Sequence, residues 1–356
     1  MRSMQVFAGP RARARLLEAG LRADDVRAVP AAAGGPKGLV LIPLDRLLFG
    51  HWLHRAGGIV HLLGASIGAW RMASACLGDA DVALARLAED YITQTYEHEP
   101  GRPPQASHVS AVFGAKLAEH FGGREHEILR HPRWRLHVFT SHGRHLLARQ
   151  GRWRTPLGYA GAFFGNALHR RALGGWLERV VFSDPRDALP LPLADLRGRQ
   201  VALSAANLQP AVLASCSIPF WLDAVHDIPG GPRGAYWDGG ITDYHLHLDY
   251  AAIADGIVLY PHFQPRIVPG WLDKPWTRRH RASRWLDNLV VLAPHPDWVR
   301  TLPGGKLPDR GDFEAYGDDE AGRQRAWRAA LAQSQRLAED FDRLARQDSV
   351  QALPLP

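Results

Sequence analysis

The sequence predicts an α/β fold whose strands run mostly parallel, and two observations support this prediction. The apolar segment 26–35 ends in a glycine turn and is followed by a helical pattern over 36–56. The same order repeats at 58–63 and 67–77, where a strand pattern again precedes a helical one. A helix after each strand supplies the crossover connection that parallel neighbours need.

The rest of the chain continues this pattern. Apolar residues recur at helical spacing over 81–97 and 108–121, which predicts two amphipathic helices. The charged segment 320–347 has the same spacing and predicts a last, long helix. Additional strands are predicted at 135–140, 178–183, 200–205, 256–261 and 288–294, and an additional helix at 209–217.

The composition is typical of a globular protein, with 46% hydrophobic and 22% charged residues in a chain of 356. No apolar run approaches the roughly 20 residues of a membrane-spanning helix, and the first residues lack the apolar core of a secretory signal. The two cysteines, Cys76 and Cys216, lie in apolar surroundings, which favours buried thiols over a disulfide. These features predict a cytoplasmic protein.

The formal net charge is +7, and nearly all of the positive charge is arginine. One interpretation is peripheral contact with an anionic membrane surface, supported by the aromatic and basic stretch 159–182 and the Trp-rich segment 262–315. The alternative is a compositional bias that scatters arginines over solvated faces. Nucleic acid is not an expected partner, because the chain has no compact basic run or nucleic-acid motif. The sequence does not predict an oligomeric state.

The stretch GASIG places Ser66 between Gly64 and Gly68, after the predicted strand 58–63 and before the predicted helix 67–77. A serine on a strand-to-helix turn can act as a nucleophile. It then needs a base that takes its proton and hydrogen-bond donors for the oxyanion that forms on the attacked carbonyl. The spacing alone is also compatible with an ordinary glycine-rich connection.

Two further motifs supply groups of these kinds. In AGGPKG (33–38), glycine amides before a helix form a potential anion site, to which Lys37 adds positive charge. In YWDGG, Asp238 follows a short aromatic strand and precedes two glycines. Taken singly, the first motif is equally a tight turn and the second a hairpin turn.

Together and in this order, GGPKG, GASIG and DGG resemble the motifs of the patatin-like phospholipase family. The stretch 204–221 agrees, because it is similar to the family segment in which a small-residue helix precedes the catalytic aspartate. The resemblance covers about 26–260, which is the expected catalytic domain. Residues 1–25 are then an N-terminal extension, and 261–356 a C-terminal segment that completes or caps the same domain.

The resemblance implies a three-layer α/β/α sandwich and a Ser–Asp dyad that works without a catalytic histidine. The implied reaction is hydrolysis of carboxylic esters of phospholipids or related lipids through an acyl-enzyme, with no metal or organic cofactor. The residues it assigns are Ser66 as nucleophile, Asp238 as base, the amides of Gly34, Gly35 and Gly38 as oxyanion donors, and Lys37 as an accessory group.

The chain departs from the family pattern at three places. Ala33 replaces the usual first glycine, Lys37 stands where arginine is common, and ITDYHLH follows DGG where the family often has Asn-x-Pro. The first two changes keep the backbone donors. The third bears on the shape of the substrate site more than on the chemistry.

Two rival interpretations stay open at this point. A Ser-His-Asp esterase of the α/β-hydrolase type requires a histidine after Asp238, and His262 or His295 satisfies that order. His245 and His247 also lie close to Asp238 in sequence, although such residues are more often structural. The second rival is a non-catalytic lipid-binding protein on the same fold.

Overall fold

The computed structural model describes residues 2–98, 102 and 104–356. Within this part of the chain, the strands are β1 (Met4–Ala8), β2 (Val26–Ala31), β3 (Val60–Ala65), β4 (Trp134–Gly143), β5 (Leu177–Ser183), β6 (Gly198–Ala202), β7 (Val225–His226), β8 (Ala235–Trp237), β9 (Ile257–Pro261), β10 (Leu289–Pro294) and β11 (Leu353–Pro354). The α-helices are α1 (Pro10–Ala19), α2 (Ile42–Leu47), α3 (Ile67–Ala75), α4 (Ala80–Ile92), α5 (Ala106–Phe121), α6 (Glu125–Arg130), α7 (Arg154–Leu168), α8 (Ala205–Cys216), α9 (Gly240–Asp243), α10 (Pro296–Val299), α11 (Gly311–Tyr316), α12 (Glu320–Gln333) and α13 (Gln335–Leu344).

The strands form a mixed sheet in the order β11-β1-β10-β9-β2-β3-β4-β5-β6. Its central strands, from β10 to β4, are all parallel to one another. Antiparallel pairs occur outside that centre, where β1 lies beside β10 and β5 beside β4. The short β8 pairs with the far end of β4. The predicted α/β class with a mostly parallel sheet is confirmed.

Successive side chains of each central strand enter two different cores, as the pleat of a strand requires. Leu62 and Leu259 point to the core beneath the long helices, which include α3, α4, α5 and α8. Leu63 and Val258 point to the opposite core, which is covered largely by the chain between residues 244 and 286. The sheet is therefore sandwiched between two layers, one of regular helices and one of short helical turns and loops.

The helix predicted over 36–56 is present, but it is not a regular α-helix. A 3₁₀ segment at Gly35–Leu41 leads into α2, which is followed by a π-helical turn at Leu48–Trp52 and a 3₁₀ turn at Leu53–Arg55. Pro43 has no backbone N–H to continue the hydrogen-bond ladder, so the ladder changes type where α2 begins. Periodicity alone does not reveal such a change.

The helix predicted over 320–347 is divided into α12 and α13 at Ser334. The Ser334 hydroxyl donates to the Ala330 carbonyl at 2.7 Å, and its backbone amide is shared between the Ala330 and Leu331 carbonyls. A serine that bonds back to the preceding turn bends a helix. The bend lets α13 pack against α2 and β1.

The first residues of the chain form part of the sheet, although the sequence predicts only an extension over 1–25. β1 pairs with β10 over five residue pairs, from Met4 opposite Pro294 to Ala8 opposite Val290. The C-terminal β11 in turn pairs with β1. A strand of five residues has too little alternation to be recognised from sequence. The division at 25 and 260 stays a prediction, and the sheet runs across both boundaries.

Among the described residues, no helix combines the length and the apolar character needed to cross a membrane.

Candidate active site

Ser66 lies on a sharp turn between β3 and α3. Its backbone has φ 56° and ψ −130°, a conformation that a non-glycine residue rarely adopts. The flanking glycines have no room for a side chain, because a Cβ on Gly64 would overlap the Ala69 backbone and one on Gly68 would overlap the Ala31 carbonyl. The GASIG motif therefore holds the start of α3 tightly against β2 and β3, with the strained serine at the end of the strand.

A buried ion pair fixes α3 beneath this turn. Arg71 on α3 donates two hydrogen bonds to Asp45 on α2, at 2.6 and 2.9 Å. Both side chains are fully buried, so each charge depends on the other for compensation. The pair links the helix that begins at Ser66 to the helix that follows the 34–38 turn.

Ser66 and Asp238 lie in direct contact, although they are far apart in the chain. The Ser66 hydroxyl donates to Asp238 Oδ2 at 2.7 Å. The other carboxylate oxygen, Oδ1, accepts a hydrogen bond from the Gly240 amide at 2.7 Å. Both residues are buried, with 3% of Ser66 and 6% of Asp238 exposed. The contact is short enough for direct proton transfer from the hydroxyl to the carboxylate.

The end of α8 holds the two residues together through Ser215. The backbone amide of Ser66 donates to Ser215 Oγ at 2.8 Å, and the Ser215 hydroxyl donates to the Phe139 carbonyl on β4 at 2.6 Å. The backbone carbonyl of Ser215 accepts from the Gly239 amide at 3.0 Å, next to Asp238. One buried serine thus connects the Ser66 turn, the central sheet and the segment that carries the aspartate.

Burial raises the pKa of Asp238 to about 6, above the ordinary range of a carboxyl group. The hydrogen bond from Ser66, the positive charge of Arg310, the Gly240 amide and the charge of Lys274 each offset part of this rise. A group with a pKa near the working pH both accepts and returns a proton readily. The environment therefore suits Asp238 to general-base chemistry near neutral pH.

The 34–38 turn lies against the same site. Gly34 is the N-cap of the 3₁₀ segment and Gly35 is its first residue, with φ +57°. A Cβ on Gly34 would lie 2.6 Å from the Phe263 ring, so the backbone there passes close to another element. Gly38 lies one turn inside the 3₁₀ segment, where amides bond within the helix. The amides of Gly34 and Gly35 stand at the start of this segment, ahead of the hydrogen bonds that its own ladder makes.

Three cationic side chains surround the turn and Asp238. Lys37 Nζ lies 5.4 Å from the centre of the Phe263 ring, and Lys274 Nζ lies 4.3 Å from the centre of the Tyr244 ring. Arg310 lies beside the turn, since a Cβ on Gly35 would be 3.3 Å from its Nε.

The pKa values of the two lysines respond to this environment. Burial lowers the pKa of Lys37. Burial first, and the neighbouring charges of Lys37 and Arg310 second, lower the pKa of Lys274 to about 8. The three cationic side chains therefore give the surroundings of Asp238 a positive potential, which favours a nearby anionic group.

The histidines of the rival triad are bound elsewhere. His262 Nδ1 lies 2.6 Å from the Gln264 carbonyl, and His295 Nδ1 accepts from the Asp297 amide at 3.1 Å. His245 shares its Nδ1 with the backbone of 266 and 268. Among the described residues, no imidazole is hydrogen-bonded to Ser66 or Asp238.

Cys76 and Cys216 are buried free thiols, as the sequence predicts. Within the described part of the chain, no three His, Cys, Asp or Glu side chains are grouped so that they could hold a metal ion.

Sequence reasoning missed Ser215, Lys274 and Arg310. Ser215 belongs to the small-residue stretch LASCS within 204–221, but a serine among other small residues indicates no particular role. Lys274 and Arg310 lie in an aperiodic region rich in Trp, Pro and Arg. The signal that could have pointed to Lys274 is the rarity of lysine in a chain whose basic residues are nearly all arginine.

The chain belongs to the patatin-like phospholipase family, a class of α/β lipid acyl hydrolases. The family model, described as patatin-like phospholipase, matches residues 56–246, which is more than half of the chain. The matched range contains Ser66 and Asp238 and begins after the 34–38 turn. The resemblance inferred from the motifs is confirmed.

The crystal structure of VipD from Legionella pneumophila shares 12% sequence identity, with a TM-score of 0.34 over 88% of this chain and 67% of that chain. A comparison with curated proteins finds no match.

Proposed function

We propose that the protein is a serine lipid acyl hydrolase in which Ser66 is the nucleophile and Asp238 the base. The observation that carries the proposal is the 2.7 Å hydrogen bond between the Ser66 hydroxyl and Asp238, on a backbone turn held in a strained conformation. Strain of this kind persists only where the surrounding structure enforces it, and it is concentrated at functional sites.

Acylation follows from this contact. Ser66 Oγ attacks the carbonyl carbon of the ester while its proton passes to Asp238 Oδ2, giving a tetrahedral oxyanion. The intermediate collapses with cleavage of the bond to the alcohol oxygen, which takes the proton from Asp238 as it leaves. The products are the free alcohol portion of the lipid and an acyl group esterified to Ser66.

Deacylation uses the same two side chains. A water molecule gives one proton to Asp238 while its oxygen attacks the acyl carbonyl. Collapse of the second tetrahedral intermediate breaks the bond to Ser66 Oγ, which recovers its proton from Asp238. The fatty acid is released and both residues return to their starting state.

The amides of Gly34 and Gly35 are the proposed donors to the oxyanion, because the first amides of a helical segment are not used by its own ladder. Gly38 is the third predicted donor, and its position inside the 3₁₀ segment favours instead a role in close packing against Ile67. Lys37 is proposed to add positive potential near the turn.

The substrate is proposed to be a phospholipid, lysophospholipid or related carboxylic ester, cleaved without a metal or organic cofactor. The catalytic domain is proposed to extend over 26–260. The C-terminal segment 261–356 is proposed to complete it, because β10 lies in the central sheet and Lys274 and Arg310 lie at the site. A cytoplasmic location with peripheral contact at membranes accords with an enzyme that meets lipid substrates.

Labelling with a fluorophosphonate probe tests the nucleophile. The wild type should form one adduct, and peptide mapping should place it on Ser66. Ser66→Ala should abolish both labelling and ester hydrolysis, while Ser107→Ala, at an exposed serine on α5, should leave both unchanged. A folded wild type that neither labels nor hydrolyses esters would instead support the non-catalytic lipid-binding protein.

Variants of the base distinguish the dyad from a triad. Asp238→Asn should lower kcat by ~10²–10⁴-fold, the usual contribution of a positioned base. His262→Ala and His295→Ala should stay within about tenfold of the wild type, provided that circular dichroism shows an intact fold. Loss of activity in a folded histidine variant comparable to that of Asp238→Asn would contradict the dyad.

A further inference from the structure

Helix α7 exposes an unusual apolar stripe. The stripe begins with Trp153, which lies just before the helix and is 70% exposed. It continues along the helix with Leu157 (59% exposed), Phe164 (67%) and Leu168 (87%). Their spacing of four, seven and four residues places them on one helical face. Over the 15 residues of α7 this stripe is about 22 Å long. A soluble surface helix normally turns its large apolar residues inward.

The inner face of α7 shows why the stripe points outward. That face carries small residues, and it packs so closely that a side chain on Gly158 would meet Leu147 and one on Gly161 would meet the Trp176 ring. Ala162 is fully buried on the same side. Large residues cannot occupy that face, so the orientation of the helix is fixed and its bulky residues are held in solvent.

The surroundings of the stripe are strongly basic. The sequence has no Asp or Glu between Glu127 and Glu178, a span that includes all of α7. The exposed arginines that border the stripe are Arg149, Arg152 and Arg154 at its N-terminal end and Arg171 at its C-terminal end. In the part of the chain that the structure describes, none of these four guanidinium groups forms an ion pair with a carboxylate. Their charge is therefore available to an external anion.

Another side of α7, about 200° around the helix from Leu157, contacts the segment that carries Asp238. Tyr159 on α7 contacts Trp237, the residue before Asp238, with ring centres 5.7 Å apart. Tyr159 also contacts Phe220, which is 64% exposed, at 6.0 Å. The C-terminal end of α7 is fixed beside Lys274, because Asn166 donates to Asp273 at 2.9 Å.

From these observations we propose that the α7 stripe, together with the exposed Phe220 and Trp221, docks on an anionic phospholipid bilayer. The proposal rests on the proposed function and identifies how the site reaches its substrate. Exposed Trp, Phe and Leu insert at the boundary between headgroups and acyl chains, while arginines at both ends contact anionic headgroups. Phe220 on this surface contacts Tyr159, and Tyr159 contacts Trp237, the neighbour of Asp238 in the chain.

The positive charge around the α7 stripe favours a bilayer over a second copy of this chain as the partner that covers it. In a symmetric dimer built on the stripe, an arginine-rich border of one copy would meet an arginine-rich border of the other, and like charges would be brought together. An anionic lipid surface neutralises the borders and covers the apolar stripe at the same time.

Vesicle co-sedimentation tests the proposal with two lipid compositions, pure phosphatidylcholine and a mixture with 30% phosphatidylglycerol. Wild-type protein should bind the anionic vesicles at least tenfold more tightly than the neutral ones. The binding should weaken between 0.1 M and 1 M salt, as the Debye length falls from about 10 Å to about 3 Å. The double variant Phe164→Ser/Leu168→Ser should lose binding by at least tenfold. The control Val82→Ser, at an exposed apolar residue of α4, should bind as the wild type does.

Hydrolysis of a soluble short-chain ester, measured on the same samples, separates this proposal from the proposed function. The double variant should hydrolyse that ester at the wild-type rate and lose activity only on vesicles. Equal vesicle binding by the double variant and the wild type would overturn the docking surface, whatever the esterase activity. Absence of soluble-ester hydrolysis in a wild type that binds vesicles would overturn the proposed function alone. A wild-type dimer that the double variant converts to a monomer, without vesicle binding, would assign the stripe to self-association and overturn the proposal.

Discussion

At the scale of the residue, the protonation of Asp238 controls the proposed chemistry. Its carboxylate must be ionised to take the proton of Ser66, and burial raises its pKa to about 6. Activity on a soluble ester should therefore rise with pH through about pH 6 and level off above it. The positive charge of Arg310 stabilises the carboxylate and opposes this rise in pKa.

Arg310→Gln removes that charge and should raise the pKa of Asp238 further. The acid limb of kcat/KM should then shift to higher pH by up to about one unit, the size of effect expected from one partly screened charge. Arg336→Gln removes an equal charge from an exposed position on α13 and should leave the profile in place. A profile that does not move in Arg310→Gln, or an acid limb far from pH 6 in the wild type, would argue against Asp238 as the base.

Gly35 provides a second prediction for a single residue. A methyl group there is disfavoured by the φ of +57° and would displace the turn against Arg310 and Tyr91. Gly35→Ala should lower kcat by about 10²–10³-fold, as the loss of one oxyanion donor does in a well-studied hydrolase. KM should change much less, because the bound ester carries no oxyanion before Ser66 attacks it. Unchanged turnover in the folded variant would place the oxyanion donors elsewhere.

The sequence identifies residues of the site only where a local pattern carries them. Ser66 and Asp238 each lie in a short motif whose glycines are required by the close packing of the backbone, so the motif and the geometry have the same cause. Arg310 lies on the exposed surface, and its proximity to Asp238 depends on how the C-terminal segment folds back over the sheet. No local pattern encodes that path.

At the scale of the element, α8 holds the two residues of the proposed dyad in place. Ser215→Ala would leave the Ser66 amide and the Phe139 carbonyl without their partner, both in buried positions. The expected cost is about 1–3 kcal/mol of unfolding free energy, the usual penalty for buried polar groups left unsatisfied. Turnover should also fall, because the Ser66 turn loses one of its supports.

Urea denaturation and ester hydrolysis measure the two effects of Ser215→Ala. The matched control is Ser217→Ala, at a buried serine on the same segment whose hydroxyl donates only to the Leu213 carbonyl of the preceding turn. It should cost less stability and leave turnover near that of the wild type. Equal effects of the two substitutions would show that Ser215 is merely a small core residue.

Elements were predictable where periodicity and length agree, as they do for β2, β3, α3, α4 and α5. The elements that differ from prediction do so for local reasons. Pro43 changes the hydrogen-bond ladder in the helix after the 34–38 turn, and Ser334 bends the last long helix. β1 was not predicted, because an isolated strand of five residues is specified by its partner β10 and not by its own pattern.

At the scale of the whole molecule, one sheet joins the two ends of the chain. β1 and β11 extend the sheet beyond β10, and the Val350 amide donates to the Leu16 carbonyl at 2.8 Å. Leu16 on α1 is fully buried in the same core as the helices around Ser66. If the first 25 residues belong to the folding unit of the catalytic domain, disturbing Leu16 should destabilise the whole molecule.

Leu16→Ala tests this relation directly. Removing a buried leucine side chain should cost about 2–5 kcal/mol of unfolding free energy. Near-UV circular dichroism and esterase activity should be lost together in one transition at lower urea, because a single core unfolds cooperatively. The neighbouring Leu17 is 48% exposed, and Leu17→Ala should change stability by no more than about 0.5 kcal/mol. A Leu16→Ala variant whose activity is lost at the same urea concentration as in the wild type would make residues 1–25 an appendage of the catalytic domain, as the sequence alone predicts.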